Sequence, residues 1–356
     1  MQKKKGKLLL ICKDKFGGLV DSLKWCEYLR DEYRITYVGY SEGHKVSEPM
    51  PGVHDVSMYS RMPRALRGSL YLAYCIIRCL FHRGPIIVVF FPKCDVIKRA
   101  LPWRKMNLDI RTLAVSHDKD RRDAFNSKLL KACRSFDTVT AISQGVADQL
   151  GIKDAKILPL GADVISSAKR DYTSAIHLLY VGTFVNRDLH KTLQGLAIFV
   201  KNNPDVKVTY TMIGDGKNGE HEQLKELASQ LGLENIVTFA GRQPYDKLPE
   251  YFDSANVGVS FVPITDFYQD QPPTKTYEYI MSGLYCLATN TKSNAAIVNS
   301  DNGCLIDDSP EAFAKALEEY TLKAPSIDQQ QIMASLPGCS WREIVNQKLK
   351  PIIKNL

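Results

Sequence analysis

Short apolar runs and segments of helical spacing take turns along the chain. Residues 7–12 (KLLLIC) and 86–91 (IIVVFF) are continuous apolar stretches, the second bounded by Pro85 and Pro92. Such runs suit strands buried on both faces of a parallel sheet. Residues 35–38, 107–110 and 138–142 read as further short strands. Between them lie helical segments, including 21–30, with Leu23, Cys26 and Leu29 on one face, and 126–135. The alternation restarts after Asp163. Strands are expected at 176–181, 206–213, 236–240, 257–262 and 285–289, with helices at 191–201, 220–231, 248–254, 276–281 and 310–320. Gly232 stands at a C-cap position and Pro310 in a first helical turn.

Alternating βα units in both halves predict an α/β protein of two doubly wound, Rossmann-like domains facing a cleft, with ligands beyond the carboxyl ends of the strands. The polar, aperiodic stretch 161–175 reads as the linker. The expected domains are 1–165 and 166–339.

A length of 356 residues allows about two domains, each large enough to bury a core. Hydrophobic residues at 44% and charged residues at 24% exclude extensive disorder. No apolar run approaches the roughly 20 residues of a spanning helix, and 8–12 is far shorter than a signal core. The expectation is a cytoplasmic protein, peripheral on the inner face of a membrane if its basic half binds lipid. Nine cysteines without a CxxC pair read as reduced buried thiols. The charge is lopsided: +12 over residues 1–165 and −4 over 166–356. Residues 61–105 hold ten Lys and Arg and one acid, Asp95. A basic half of this kind suits a phosphorylated substrate or an anionic membrane surface, or is simply a solvated basic face. Nucleic acid is not expected, since no recognition motif accompanies the charge.

The densest chemistry lies in 266–290 (DFYQDQPPTKTYEYIMSGLYCLATN). Pro272 and Pro273 stiffen a loop ahead of a helix expected from about Thr276. The unpaired N–H groups of that helix start form an anion site suited to a diphosphate. Lys275 adds positive charge at the entrance, beside Thr276 and Tyr277. Glu278, one turn inside, can accept hydrogen bonds from vicinal ribose hydroxyls. Asp270 precedes it by eight positions, and Gly283 ends the helix before an apolar strand.

This order of residues resembles the nucleotide-sugar site of GT-B retaining glycosyltransferases, specifically glycosyltransferase family 4. That family has two acids eight apart, usually both Glu; here the first is Asp270. Val181-Gly182-Thr183 resembles the loop opening the family's C-terminal domain, and Arg187 and Lys191 lie where basic residues meet the diphosphate. Gly214 in IGDG and Gly241 in VTFAG resemble the next landmarks. Gly17-Gly18 resembles the glycine-rich loop that approaches the sugar. Ser340-Trp341 resembles the start of a C-terminal helix, 340–356, packing back on the N-terminal domain. The resemblance implies Asp270, His117, Arg187 and Lys275 as catalytic groups. It implies donor contacts from Gly182, Thr183, Arg187, Lys191, Gly214, Gly241 and Lys275 to Glu278.

Asp109 and Arg111 sit at a strand's carboxyl end, which makes them acceptor-side candidates with Gly17 and Gly18; an internal ion pair explains them equally well. His117 is a candidate contact to the donor sugar or an ordinary loop histidine, depending on whether the strand ends at Ile110 or Val115. Residues 214–219 spell GxGxxG. A dinucleotide reading needs an acid at the end of the next strand, and none stands there.

The resulting expectation is a retaining glycosyltransferase that moves a sugar from a nucleotide-sugar to an acceptor hydroxyl. No metal and no cofactor is expected. The acceptor would be a glycan or polyprenyl diphosphate-linked sugar in bacterial cell-surface polysaccharide or glycolipid assembly. A GT-B nucleotide-sugar epimerase and a non-catalytic nucleotide-sugar binding subunit are the alternatives.

Overall fold

The structure, a computed structural model, describes residues 5–41, 50–59 and 63–356. The chain forms two compact units, Met1–Gly161 with Ser340–Leu356, and Ala162–Cys339.

The first unit runs β1 (Gly6–Ile11), α1 (Val20–Leu29), β2 (Tyr33–Val38), β3 (Tyr40–Ser41), β4 (Val53–Asp55), β5 (Met58–Tyr59), α2 (Arg64–Phe81) and β6 (Ile86–Val89). It continues with α3 (Asp95–Ala100), β7 (Asn107–Ile110), α4 (Lys119–Cys133), β8 (Thr138–Ala141), α5 (Gln144–Gln149) and β9 (Lys156–Ile157). Seven strands make one sheet in the order β4-β2-β1-β6-β7-β8-β9, with parallel pairings throughout. Leu8 to Ile11 and Ile86 to Val88 are each at most 1% exposed, because helices cover both faces of the central strands.

The second unit runs β10 (Ile176–Val181), α6 (His190–Asn202), β11 (Val208–Ile213), α7 (Glu220–Gln230), β12 (Val237–Gly241), α8 (Leu248–Asp253) and β13 (Val257–Ser260). Then follow α9 (Thr274–Met281), β14 (Tyr285–Thr289), α10 (Lys292–Ala295), β15 (Gly303–Ile306), α11 (Pro310–Lys323) and α12 (Gln329–Ala334). Its parallel sheet has the order β12-β11-β10-β13-β14-β15. This is the doubly wound order that reverses at the first strand, so the crevice at its switch point opens between the carboxyl ends of β10 and β13.

The last segment, α13 (Trp341–Ile344) and α14 (Lys350–Lys354), belongs to the first unit. Ser340 and Glu343 form a capping box that starts it. Trp341 is buried against Gly161, where a Cβ would crowd the indole, and Lys350 pairs with Glu32.

Three local expectations are corrected. Helix α4 starts at Lys119, not at 126, because Asp118 caps it through the Arg121 N–H at 3.1 Å. Helix α9 starts at Thr274, two residues before the expected start, with extended Pro273 as its N-cap. The supposed linker is partly built in: Arg170 is buried and donates to the carbonyls of Ser282 (2.7 Å), Phe252 (2.5 Å) and Ala255. It thereby caps the carboxyl ends of α8 and α9, satisfying carbonyls that have no partner within a helix. All nine cysteines are free thiols, seven of them buried.

Candidate functional site

The carboxyl edge of the second sheet brings the glycine landmarks together. Val181 pairs with Ile213, and Ile213 with Gly241. The Gly182 N–H donates to the Ile213 carbonyl at 2.9 Å, and the Gly214 N–H to the Gly241 carbonyl at 3.0 Å. Gly214 has φ of 150°, and a Cβ there would overlap the Gly182 carbonyl oxygen. Only glycine lets the two turns lie this close. Thr183 is exposed, and its carbonyl accepts from the Tyr180 hydroxyl at 2.7 Å.

Helix α9 stands at the switch point. Its Tyr279 ring lies on Gly258 of β13, where a Cβ would overlap it, and the Tyr279 hydroxyl accepts from the Val181 N–H at 2.8 Å. The helix is therefore pinned to both strands flanking the crevice. Thr276 is fully buried and occupied internally, bonded to Ser260 at 2.6 Å and to Asn294 at 3.0 Å. Its N–H bonds the Pro273 carbonyl at 3.2 Å. The Thr276 hydroxyl is thus engaged within the fold at the first turn of the helix expected to hold the donor. Tyr277 is buried, and burial pushes its hydroxyl up to about 12.

Lys275 is 8% exposed, and its ammonium has no hydrogen-bond partner. It lies 3.6 Å from the centroid of the Tyr180 ring, and 3.4 Å from where a Cβ on Gly182 would stand. Burial, followed by the charge of Arg187, holds its pKa well below the usual lysine range; Glu278 acts in the opposite sense. Burying a charged amine without a bonded anion is costly, which is why the amine's proton is held weakly and why the position is a candidate anion site. Glu278 is 7% exposed on the same helix.

Arg187 stacks over Tyr268, 4.7 Å from the ring centroid, and donates to its hydroxyl. The Tyr268 hydroxyl in turn donates to the Asn186 carbonyl at 3.0 Å. Asn186 and Asp188, on either side of Arg187, have φ of 55° and 49°. Asn and Asp are the side chains that tolerate the left-handed region, and they turn the loop on both sides of Arg187. Lys191 sits between Asp188 at 3.4 Å and Asp308 at 3.5 Å. Asp270 is half-buried in the loop ahead of α9. No motif distinguishes Tyr180 and Tyr268, which carry the two cations; their signal in the sequence is a tyrosine at a strand end and one in the β13–α9 loop.

In the first unit, β7 ends at Ile110, so His117 is an exposed residue of the loop before α4. Gly17 has φ of 80° in the turn after β1, and the Gly18 N–H closes that turn onto the Lys15 carbonyl at 2.9 Å. Asp109 and Arg111 take the arrangement of the internal ion pair. Asp109 is wholly buried and accepts from Thr140 at 2.6 Å. Arg111 faces it at 3.7 Å, pairs with Asp21, donates to the Leu158 carbonyl at 2.7 Å, and stacks on Trp25. The internal ion pair is what the strand end holds.

The GxGxxG stretch has its donors taken. Glu220, the first residue of α7, accepts from the Asn218 N–H at 2.7 Å and crowds the position of Gly216. The Gly216 N–H likewise donates to Asp215 at 2.8 Å, so two of the loop's donors are engaged by its own carboxylates.

The family model for glycosyl transferases group 1 matches residues 175–321, which run from β10 into α11 and include every donor-side residue above. None of the curated proteins matches the chain in sequence. Among solved structures, HepE of Anabaena in complex with UDP superposes with a TM-score of 0.76 at 15% identity, covering 99% of this chain and 100% of that one. Sucrose-phosphate synthase of Thermosynechococcus elongatus gives a TM-score of 0.77 at 14% identity, covering 99% of both chains. The lipopolysaccharide outer core galactosyltransferase WaaB, in its apo form, gives 0.68 at 13%, covering 98% of this chain and 100% of that one. The chain therefore has the GT-B fold of these structures, and residues 175–321 match the model of glycosyl transferases group 1.

Proposed function

We propose that the protein is a retaining glycosyltransferase that moves a sugar from a nucleotide-sugar donor to an acceptor hydroxyl. The observation that carries this is the Lys275 ammonium: buried, without a hydrogen-bond partner, and set beside the Gly182 turn at the start of α9. A diphosphate supplies the missing negative charge. HepE, a structural neighbour, has been solved with UDP and with UDP-glucose, which supports a donor of that class here.

In this reading the bond from the anomeric carbon to the diphosphate breaks, a bond to the acceptor oxygen forms, and the acceptor hydroxyl passes its proton to the departing diphosphate oxygen. Negative charge grows on the leaving diphosphate. Lys275, Arg187 and the first N–H groups of α9 meet it with fixed positive charge, so little reorganisation is needed as the bond breaks. Transfer then proceeds without a metal or cofactor. Glu278 binds the ribose hydroxyls, while Asp270 and His117 act on the sugar. The acceptor is a glycan or a polyprenyl diphosphate-linked sugar in bacterial cell-surface polysaccharide or glycolipid assembly.

A thermal-shift screen with UDP-, GDP-, ADP- and CMP-sugars tests the donor site, with a stabilising shift expected for one of them. The absence of a shift with all four overturns the proposal. With the matching donor, proton NMR of the product reads the anomeric configuration, and inversion refutes retention.

A further inference from the structure

Helix α2 is apolar on the side that faces water. Leu66, Leu70, Ile77, Leu80 and Phe81 are 60%, 42%, 52%, 47% and 78% exposed. At roughly 100° per residue they fall within an arc of about 100°. The opposite side, Tyr71, Cys75 and Cys79, is buried. The helix cannot roll to hide the outer stripe: Tyr71 donates to the Cys12 carbonyl at 2.9 Å, and Tyr74 to the Val56 carbonyl at 2.8 Å. A contiguous exposed apolar stripe of this kind marks an interaction surface.

The surroundings say what covers it. Arg67 and Arg78 lie along one edge of the stripe. Beyond its end, Arg104 donates to the carbonyls of His82 at 2.7 Å and Gly84 at 3.2 Å. That tie brings Trp103, 68% exposed, to the Phe81 end of the helix, with Arg83 and Lys105 exposed nearby. Asp95, the one acid of the basic stretch, is buried and pairs with Arg99 at 2.8 Å, so it adds no outward negative charge. Of the basic residues noted from sequence, Arg61 lies outside the described residues.

We infer that α2 and the Trp103 loop form a docking surface for an anionic lipid bilayer, with the apolar stripe among the headgroups and the arginines against lipid phosphates. An apolar face with a basic edge and aromatic side chains at its end is the chemistry of an interfacial helix. Among the described residues no helix is long and apolar enough to cross a membrane, so the helix lies on the surface. A second copy of this chain fits less well, because pairing the stripe with itself brings arginine edges together with no acid between them.

Sedimentation of the full chain with vesicles tests this, and needs no sugar donor, so its outcome is separate from that of the transfer reaction. The protein should pellet with vesicles of equal parts phosphatidylglycerol and phosphatidylcholine, remain in the supernatant with phosphatidylcholine alone, and be released by high salt. Leu70→Glu with Ile77→Glu should abolish pelleting while circular dichroism and melting stay unchanged. Should that variant unfold, Phe81→Ser, at the most exposed position of the stripe, takes its place. Equal binding to both vesicle types, or to neither, overturns the inference. So does light scattering that shows a dimer dissolved by the same substitutions.

Discussion

The ammonium of Lys275 rests 3.6 Å above the ring of Tyr180, a residue of the neighbouring strand, with no hydrogen-bond acceptor near it. The ring face offers partial negative charge to a cation that has been stripped of water. This pairing holds the lysine in place before any ligand arrives. It also makes the site dependent on proton binding, since burial and the Arg187 charge hold the lysine pKa well below its usual range.

The first prediction follows from that depression. Between the lowered value and the unfolded-chain value the unfolded state binds more protons than the folded state. Stability therefore rises with pH through that window, on the alkaline side, up to the ordinary lysine pKa. A diphosphate beside the amine favours its charged form, so donor binding within the window should take up a proton. Calorimetry of donor binding in buffers of different ionisation enthalpy should show a buffer-dependent heat that vanishes in Lys275→Met. The same heat in every buffer would contradict the charge assignment.

Lys275→Ala removes one fixed charge that meets the leaving diphosphate. Loss of a single donor of this kind lowers kcat by roughly 100- to 1,000-fold. Tyr268→Phe removes the hydroxyl that holds Arg187 and keeps the ring beneath it. Its expected effect is a smaller loss of kcat with donor affinity largely kept, read from steady-state kinetics. A Tyr268→Phe enzyme with wild-type kcat would remove the tyrosine from the positioning of Arg187.

Glu278→Ala should weaken donor binding by about 10- to 100-fold, the range for hydrogen bonds to a charged group. A 2′-deoxyribose donor should lose affinity for the native protein and little for the variant. Equal losses in both would detach Glu278 from the ribose.

Gly214→Ala should destabilise the second unit by on the order of 3 kcal/mol, since it combines a backbone strain with an overlap against the Gly182 carbonyl. Urea unfolding measures it. A change below about 0.5 kcal/mol, the range of an ordinary surface substitution, would show that the turns can separate cheaply.

In the first unit, burial pushes Asp109 up to about 6, against the lowering effect of Arg111. Its folded pKa lies above the unfolded value, so the folded state holds the extra proton between about pH 4 and 6. That contribution favours folding below the window and is lost as pH rises through 6. Asp109→Asn removes this dependence. The stability difference between the native protein and the variant should therefore change sign or size between pH 4.5 and pH 7 in urea titrations, and a constant difference would exclude it.

Much of the fold can be read in the chain because the central strands are uniformly apolar. The runs at 7–12, 86–91 and 176–181 have nowhere to lie but the middle of a parallel sheet. The strands β4, β9 and β15, of two to four residues, have too few positions to show a period. The α9 segment is legible for a different reason: prolines, a lysine, an acid one turn on and a closing glycine each have a local backbone consequence. The polar stretch 161–175 reads as linker because nothing in its composition reveals that Arg170 reaches carbonyls more than eighty residues away.

Sequence by itself therefore determined the two βα rhythms, the glycines of the strand ends and the cation-bearing start of α9, since each is written in residues close together along the chain. Tertiary structure decided which charges remain available. It paired Lys191 with Asp188 and Asp308, closed Asp109 and Arg111 into an internal ion pair, filled the GxGxxG loop with Glu220, and left Lys275 on the face of Tyr180. The reason is physical: whether a buried charge is neutralised depends on partners brought in from other strands, and the distance between strands is set by packing, not by neighbours in sequence.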